Sequence, residues 1–181
     1  MDERHLTTHD IAFAAAGVAL LAVSAWVTVP IGPVPFTLQT MALAFLVAGL
    51  TPRRSLVAIV AYVLVGAVGL PVFSGMRGGI DVVLGPTGGF ILGFVPAVAL
   101  AGLVLSRSRG WAAKIVAGAI VIVVSYALGW AWLMVSTGMD AGAAFAAACA
   151  PFIVPDIAKV AVGLGVAEAV TTALPQLAHE G

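Results

Sequence analysis

The sequence predicts an all-α integral membrane protein: one domain over residues 1–181, a bundle of six transmembrane helices with both termini cytoplasmic. Composition carries the first half of that prediction. Of 181 residues, 62% are hydrophobic and 9% charged, against about 45–50% and about 25% in an average soluble domain. So few charges cannot cover the surface of a water-soluble globule of this size. The same arithmetic excludes a disordered chain, a collagen-like repeat and a disulfide scaffold, since Ala, Val and Leu abound and Cys149 is the single cysteine. The net charge is zero, so nothing points to nucleic acid.

The second observation is a series of apolar stretches near the roughly 20 residues that a helix needs to cross a bilayer. They run over 11–29, 36–50, 56–73, 88–105, 112–135 and 152–174. The first four hold no charge; the fifth holds Lys114, and the sixth holds Asp156, Lys159 and Glu168. Each is apolar on all sides, whereas barrel strands are about ten residues long and alternate. The second, bounded by Pro35 and Gly49-Leu50, is short for a span and needs shelter at one end.

The third observation is the placing of lysine and arginine. With six spans, one side of the membrane carries Arg4, Arg53, Arg54, Arg107, Arg109 and Lys114, and the loops of the other carry Arg77. Basic residues collect on the cytoplasmic side, which puts both termini there, in a multi-pass protein of a bacterial-type inner membrane. Residues 11–25 with Val23-Ser24-Ala25 imitate a signal peptide, but Asp2, Glu3 and Asp10 flank the apolar run and argue against cleavage.

The outer connections differ from the inner ones. VPIGPVP at 29–35 is stiffened by Pro30, Pro33 and Pro35. SGMRGGIDVVLGPT at 74–87 is glycine-rich, with Gly78 and Gly79 at its centre; this suits a lid folded over a site. In 136–151, residues 141–149 predict a short interfacial helix ahead of Pro151.

The sharpest chemical feature is PFIVPDIAK at 151–159. Pro155 suits a first helical turn, and Asp156 and Lys159 fall at i and i+3 on one face. A charge inside a bilayer costs at least about 2.5–3.5 kcal/mol, so such residues pair and face a cavity. Two readings stand side by side: a polar-ligand site near the outer face, or an ion pair that pins the last helix. Glu168, roughly 18 Å further along that helix, reads as interfacial or inter-subunit. Gln39 makes either an interhelical hydrogen bond or a ligand contact. Phe36, Phe73, Tyr62, Tyr126, Trp26, Trp130 and Trp132 can line an apolar slot or belong to the core and interfacial belt. Arg77 is either solvated decoration or the partner of an incoming carboxylate.

There is no GxxxxGK[ST], GxSxG or HExxH, and His5, His9 and His179 all fall in the terminal tails. No ATPase, no enzyme, no metal site and no cofactor is therefore expected. Ala12, Ala15, Ala16, Ala19 and Ala22 form a small-residue stripe on the first span. Such a stripe lets two membrane helices approach closely, inside this bundle or against a partner.

Three segments, VPIGPVPFTLQT at 29–40, GLPVFSGMRGGIDVVLGPTGGFILGF at 69–94 and PFIVPDIAK at 151–159, closely resemble the BioY family. These are the biotin-binding substrate components of energy-coupling-factor vitamin transporters. The third segment departs mildly, with Pro155 where the family pattern has glycine. The resemblance implies high-affinity capture of biotin at the outer face. It also implies partnership with a transmembrane coupling protein and a pair of ABC-type ATPases, for which the alanine stripe becomes a docking face. It further makes Asp156 and Lys159 polar partners of biotin, with PFTLQT (Phe36, Thr37, Gln39) and SGMRGG (Arg77, Gly78, Gly79) as pocket walls. The motif does not divide the ureido ring and the carboxylate between Asp156 and Lys159. The alternative is a self-sufficient channel or ion-coupled secondary carrier for a small polar solute, using Asp156 and Lys159 as a relay.

Overall fold

The computed structural model describes residues 8–174; Asp2, Glu3, Arg4, His5 and His179, and with them the two termini, lie outside the described residues. Among these residues the chain is mostly helical: α1 (Thr8–Trp26), α2 (Gln39–Gly49), α3 (Pro52–Ala67), α4 (Ile80–Leu84), α5 (Gly88–Arg107), α6 (Trp111–Thr137), α7 (Ala141–Ala148) and α8 (Ile153–Ala173). A two-stranded antiparallel ribbon, β1 (Thr28–Val29) and β2 (Phe36–Thr37), pairs Thr28 with Thr37 and Val29 with Phe36.

Three of the expected spans have shifted ends, each for a local reason. The first ends at Trp26 rather than 29, because Thr28 and Val29 leave the helix to pair with β2. The second starts at Gln39 rather than 36, because Phe36 and Thr37 are the other half of that ribbon. The third begins earlier than 56, where Thr51 caps the helix by accepting from the Arg54 amide at 3.3 Å and Pro52 occupies the first turn. It ends at Ala67 rather than 73, since Gly69 takes φ +109° and Pro71 follows. The all-α expectation thus needs a small β ribbon, and the glycine-rich loop contains the short α4. The later helices lie within two residues of the expected ranges.

Among the described residues, two helices, α5 and α6, are each long and apolar enough to cross a membrane, and α7 with α8, bent by 44°, passes as a third, broken span. Helix α2 has 11 residues and reaches about 16 Å, half of the roughly 30 Å hydrocarbon layer. It lies at the centre of the bundle, sheltered by its neighbours: eight of its residues are buried, and it meets α1, α3, α5, α6 and α8. Helix α8 comes close because Gly163 lacks a Cβ, which would stand 2.4 Å from the Met41 carbonyl oxygen. The helix pairs α1–α3, α3–α5 and α5–α6 complete the packing. Large apolar side chains such as Leu64, Leu103, Ile115, Val123 and Val135 face outward, as a surface in contact with lipid requires.

The two ends of the bundle are tied differently. At the ribbon end, Trp26 Nε1 donates to Pro71 O (2.8 Å), the Thr28 and Ser74 hydroxyls meet at 3.0 Å, and Trp132 Nε1 donates to Gly85 O (2.9 Å). At the opposite end the ties are ionic. Arg54 Nε pairs with Asp10 Oδ1 (2.9 Å) and its guanidinium lies over Phe13, joining α3 to α1. Arg109 Nη2 donates to Ala48 O (2.9 Å) and Leu50 O (3.0 Å), supplying partners to carbonyls at the C-terminal end of α2.

Candidate functional site

A partly open cavity lies at the ribbon end. The stiff turn before β2 supplies Val34 and Pro35, and β2 and the start of α2 supply Thr37, Gln39 and Thr40. The glycine-rich segment adds Phe73, Ser74, Arg77, Val82 and Thr87. Helices α5 and α6 add Phe90, Ile91, Phe94, Ile122, Ser125 and Tyr126, and Ala148, Phe152, Asp156 and Lys159 close the ring. The lining is mostly apolar with a few convergent polar groups, the usual make-up of a small-molecule site.

Asp156 sits in the first turn of α8, where helix polarity favours an anion. It is 5% exposed and Lys159 8%. Lys159 Nζ donates to Asp156 Oδ1 at 2.7 Å, and the Tyr126 hydroxyl donates to Asp156 Oδ2 at 2.8 Å. The ammonium also lies 3.5 Å from the centroid of the Phe36 ring, which stacks on Phe152. Neither charge is left uncompensated: the carboxylate has a cation and a hydroxyl, and the cation has a carboxylate and a π face.

Gln39, 7% exposed, anchors a second chain of bonds. Its Oε1 accepts from the Thr37 hydroxyl (3.2 Å), its Nε2 donates to the Tyr62 hydroxyl (2.8 Å), and Tyr62 in turn donates to Val72 O (3.0 Å). Tyr62 is wholly buried and meets Phe73 edge to face at 5.4 Å. It therefore stands behind the cavity wall rather than in it.

The structure brings Thr37, Gln39, Phe73, Arg77, Asp156 and Lys159 to one cavity. Phe36 joins through Lys159. Arg77 is exposed at the rim. Gly78 and Gly79 do not line the cavity. Gly78 allows the loop to press on Leu70, whose carbonyl oxygen would lie 2.1 Å from a Cβ, and Gly79 (φ +111°) donates to Gly66 O at 2.7 Å. These two residues tie the loop to the end of α3, while its neighbours reach the cavity. Trp130 also lies outside it: Nε1 donates to Ala141 O (3.0 Å) and the ring meets Phe145, fastening α7 to α6. Glu168 pairs with Lys114 and joins α8 to α6 within the chain.

The sequence offers Tyr126 only as one aromatic among several for an apolar slot, and does not single out Thr40, Ser125 or the α5 aromatics. Ile122, Ser125 and Tyr126 follow i, i+3, i+4 spacing and so share one helical face. That pattern was available in the sequence, but it does not say which neighbour the face meets.

The BioY family profile matches residues 1–176. A probable biotin transporter BioY of Pyrococcus horikoshii is 42% identical over 161 residues, covering 88% of this chain and 94% of the relative. The biotin transporter BioY of Rhodobacter capsulatus is 38% identical over 173 residues, 88% of this chain and 89% of its own. Among solved structures, the S-component for biotin from an ECF-type ABC transporter superposes with a TM-score of 0.82 at 22% identity, covering 93% of this chain and 95% of that one. That likeness concerns the fold.

Proposed function

The chain belongs to the BioY family, and from that premise we propose that it binds biotin in the cavity at the ribbon end. In this reading it is the substrate-binding component of an energy-coupling-factor transporter, not an enzyme. The supporting observation is the convergence of Thr37, Gln39, Asp156 and Lys159, from opposite ends of the sequence, on one apolar-walled cavity. Biotin matches that lining in kind. Its cyclic urea offers two N–H donors and a carbonyl, its thioether ring is apolar, and its valerate ends in a carboxylate. Arg77, exposed at the rim, is placed to meet an entering carboxylate.

The proposal includes six membrane-crossing segments with the cavity outward and both termini cytoplasmic. Support comes from the basic residues: Arg53, Arg54, Arg107, Arg109 and Lys114 gather at the end opposite the ribbon. It also includes docking of a transmembrane coupling protein, driven by a pair of ABC-type ATPases, on α1. Ala12, Ala15, Ala16 and Ala19 are all exposed, whereas Ala14, Leu21, Ala22 and Ala25 of the same helix are buried. Four of the stripe's five alanines thus face away from the bundle, as a close-approach surface for another helix requires, while Ala22 packs inside it.

Calorimetry on the purified chain tests the ligand: biotin binds tightly, and riboflavin and thiamine do not, because they leave the site's polar groups unpaired. Equal affinity for an unrelated vitamin overturns the assignment. For the partner, Ala15→Trp spares biotin binding but abolishes co-purification with the coupling protein and ATP-driven uptake. Concentration of biotin by the chain alone in liposomes under an ion gradient would instead identify a self-sufficient carrier.

A further inference from the structure

One residue of the cavity lining carries a polar atom that is both fully buried and unused by the protein's own bonds. Among the described residues, Ser125 Oγ is the one fully buried side-chain nitrogen or oxygen without a hydrogen-bond partner. Ser125 is 4% exposed and lines the cavity. A serine within a helix ordinarily returns its hydroxyl to a carbonyl three or four residues back. Ser24 does so to Leu21, Ser55 to Thr51, Ser106 to Leu103 and Ser136 to Leu133. Ser125 does not, and leaving a buried hydroxyl unpaired costs stability.

The neighbouring polar groups are already engaged. Both Asp156 oxygens accept bonds, the Tyr126 hydroxyl is spent on one of them, and Gln39 is held by Thr37 and Tyr62. A ligand that bonds to any of these meets a group that already has a partner, although the Gln39 amide keeps a second N–H. At Ser125 it gains a bond and breaks none. The backbone there is packed against its neighbour: α5 crosses at Gly93, where a Cβ would stand 3.5 Å from Ser125 Cα.

We propose that Ser125 is a specificity-determining residue of the binding site, its hydroxyl forming a hydrogen bond with a polar atom of the bound biotin, in the urea or the carboxylate. This inference rests on the biotin reading, deepens it, and assigns to the hydroxyl a role in the bound state rather than in the fold.

The test compares wild type and Ser125→Ala in two measurements, biotin affinity by calorimetry and thermal unfolding of the ligand-free protein. Affinity falls about 3- to 30-fold, while the unfolding temperature without biotin is unchanged or higher, because an unpaired buried hydroxyl has been removed. Affinity falls without any loss of unfolding temperature, which a scaffold role does not produce. Affinity within threefold of wild type overturns the proposal. A joint loss of affinity and unfolding temperature overturns it as well, since the serine is then part of the scaffold. Failure of wild type to bind biotin defeats the functional reading itself, and is seen before any variant is made.

Discussion

Lys159 and Lys114 are both buried, both paired with a carboxylate and both set against an aromatic ring, yet they belong to different kinds of construction. Lys159 pairs with Asp156 on its own helix, a third group from α6 completes the carboxylate, and a cavity lies alongside. Lys114 reaches across from α6 to Glu168 on α8, near Trp111, at the opposite end of the bundle. Glu168 keeps 39% of its side chain exposed, against 7% for Asp156. A buried ion pair by itself is therefore no mark of a site. What sets the first apart is a fully enclosed carboxylate with a second donor and empty volume beside it; the second is a clasp between helices.

Substitutions that treat the two pairs alike show whether that distinction holds. The largest effect is expected at the first. Asp156→Asn or Lys159→Ala leaves the other group buried and poorly paired, at about 2–5 kcal/mol of binding. Biotin affinity then weakens roughly 30-fold to several-thousand-fold, measured by calorimetry on protein that still inserts. Near-normal affinity in both variants would reduce this pair to a clasp like the other. Tyr126→Phe sharpens the contrast. Losing one hydrogen bond to a charged group is worth about 1.5–3 kcal/mol, so affinity drops roughly 10- to 100-fold although Tyr126 carries no charge. An unaltered dissociation constant would mean that the third partner is incidental. The smallest effect belongs to Glu168→Gln. A half-open pair contributes up to about 1 kcal/mol, so the unfolding temperature falls slightly and biotin binding stays as it was. A loss of affinity there would show that the far end of the bundle is coupled to the cavity.

Much of this contrast was legible in the residues, and some was hidden for physical reasons. Asp156 and Lys159 are conspicuous because charges in an apolar chain are costly, and Gln39 for the same reason in weaker form. Helices α5 to α8 follow from mostly apolar runs ended by evident breakers, such as Gly138, which closes α6 in a left-handed conformation. The ribbon was hidden because Phe36 and Thr37 are as apolar in context as the helix that follows. Only the return of the chain to Thr28 makes them a strand. Tyr126 and Trp130 show the same limit on the site. One turn apart on one helix, they read alike in sequence, yet one meets Asp156 and the other Ala141. Composition identifies residues that need partners; topology chooses the partners.

The burial of α2 beneath α8 has a consequence for how the molecule comes into being. Synthesis delivers α2 early, but Ala44 and Ala48 find their cover in Val160, Leu164 and Ala167, more than 100 residues further along the sequence. Until α8 is made, the middle of the bundle is an eleven-residue helix too short to cross the bilayer alone, with one flank open. Contacts this distant in sequence form slowly, after long loops have closed. Assembly of the centre is thus a late event, and the ring of residues around the cavity, with Gln39 on α2 and Asp156 on α8, closes in that same step.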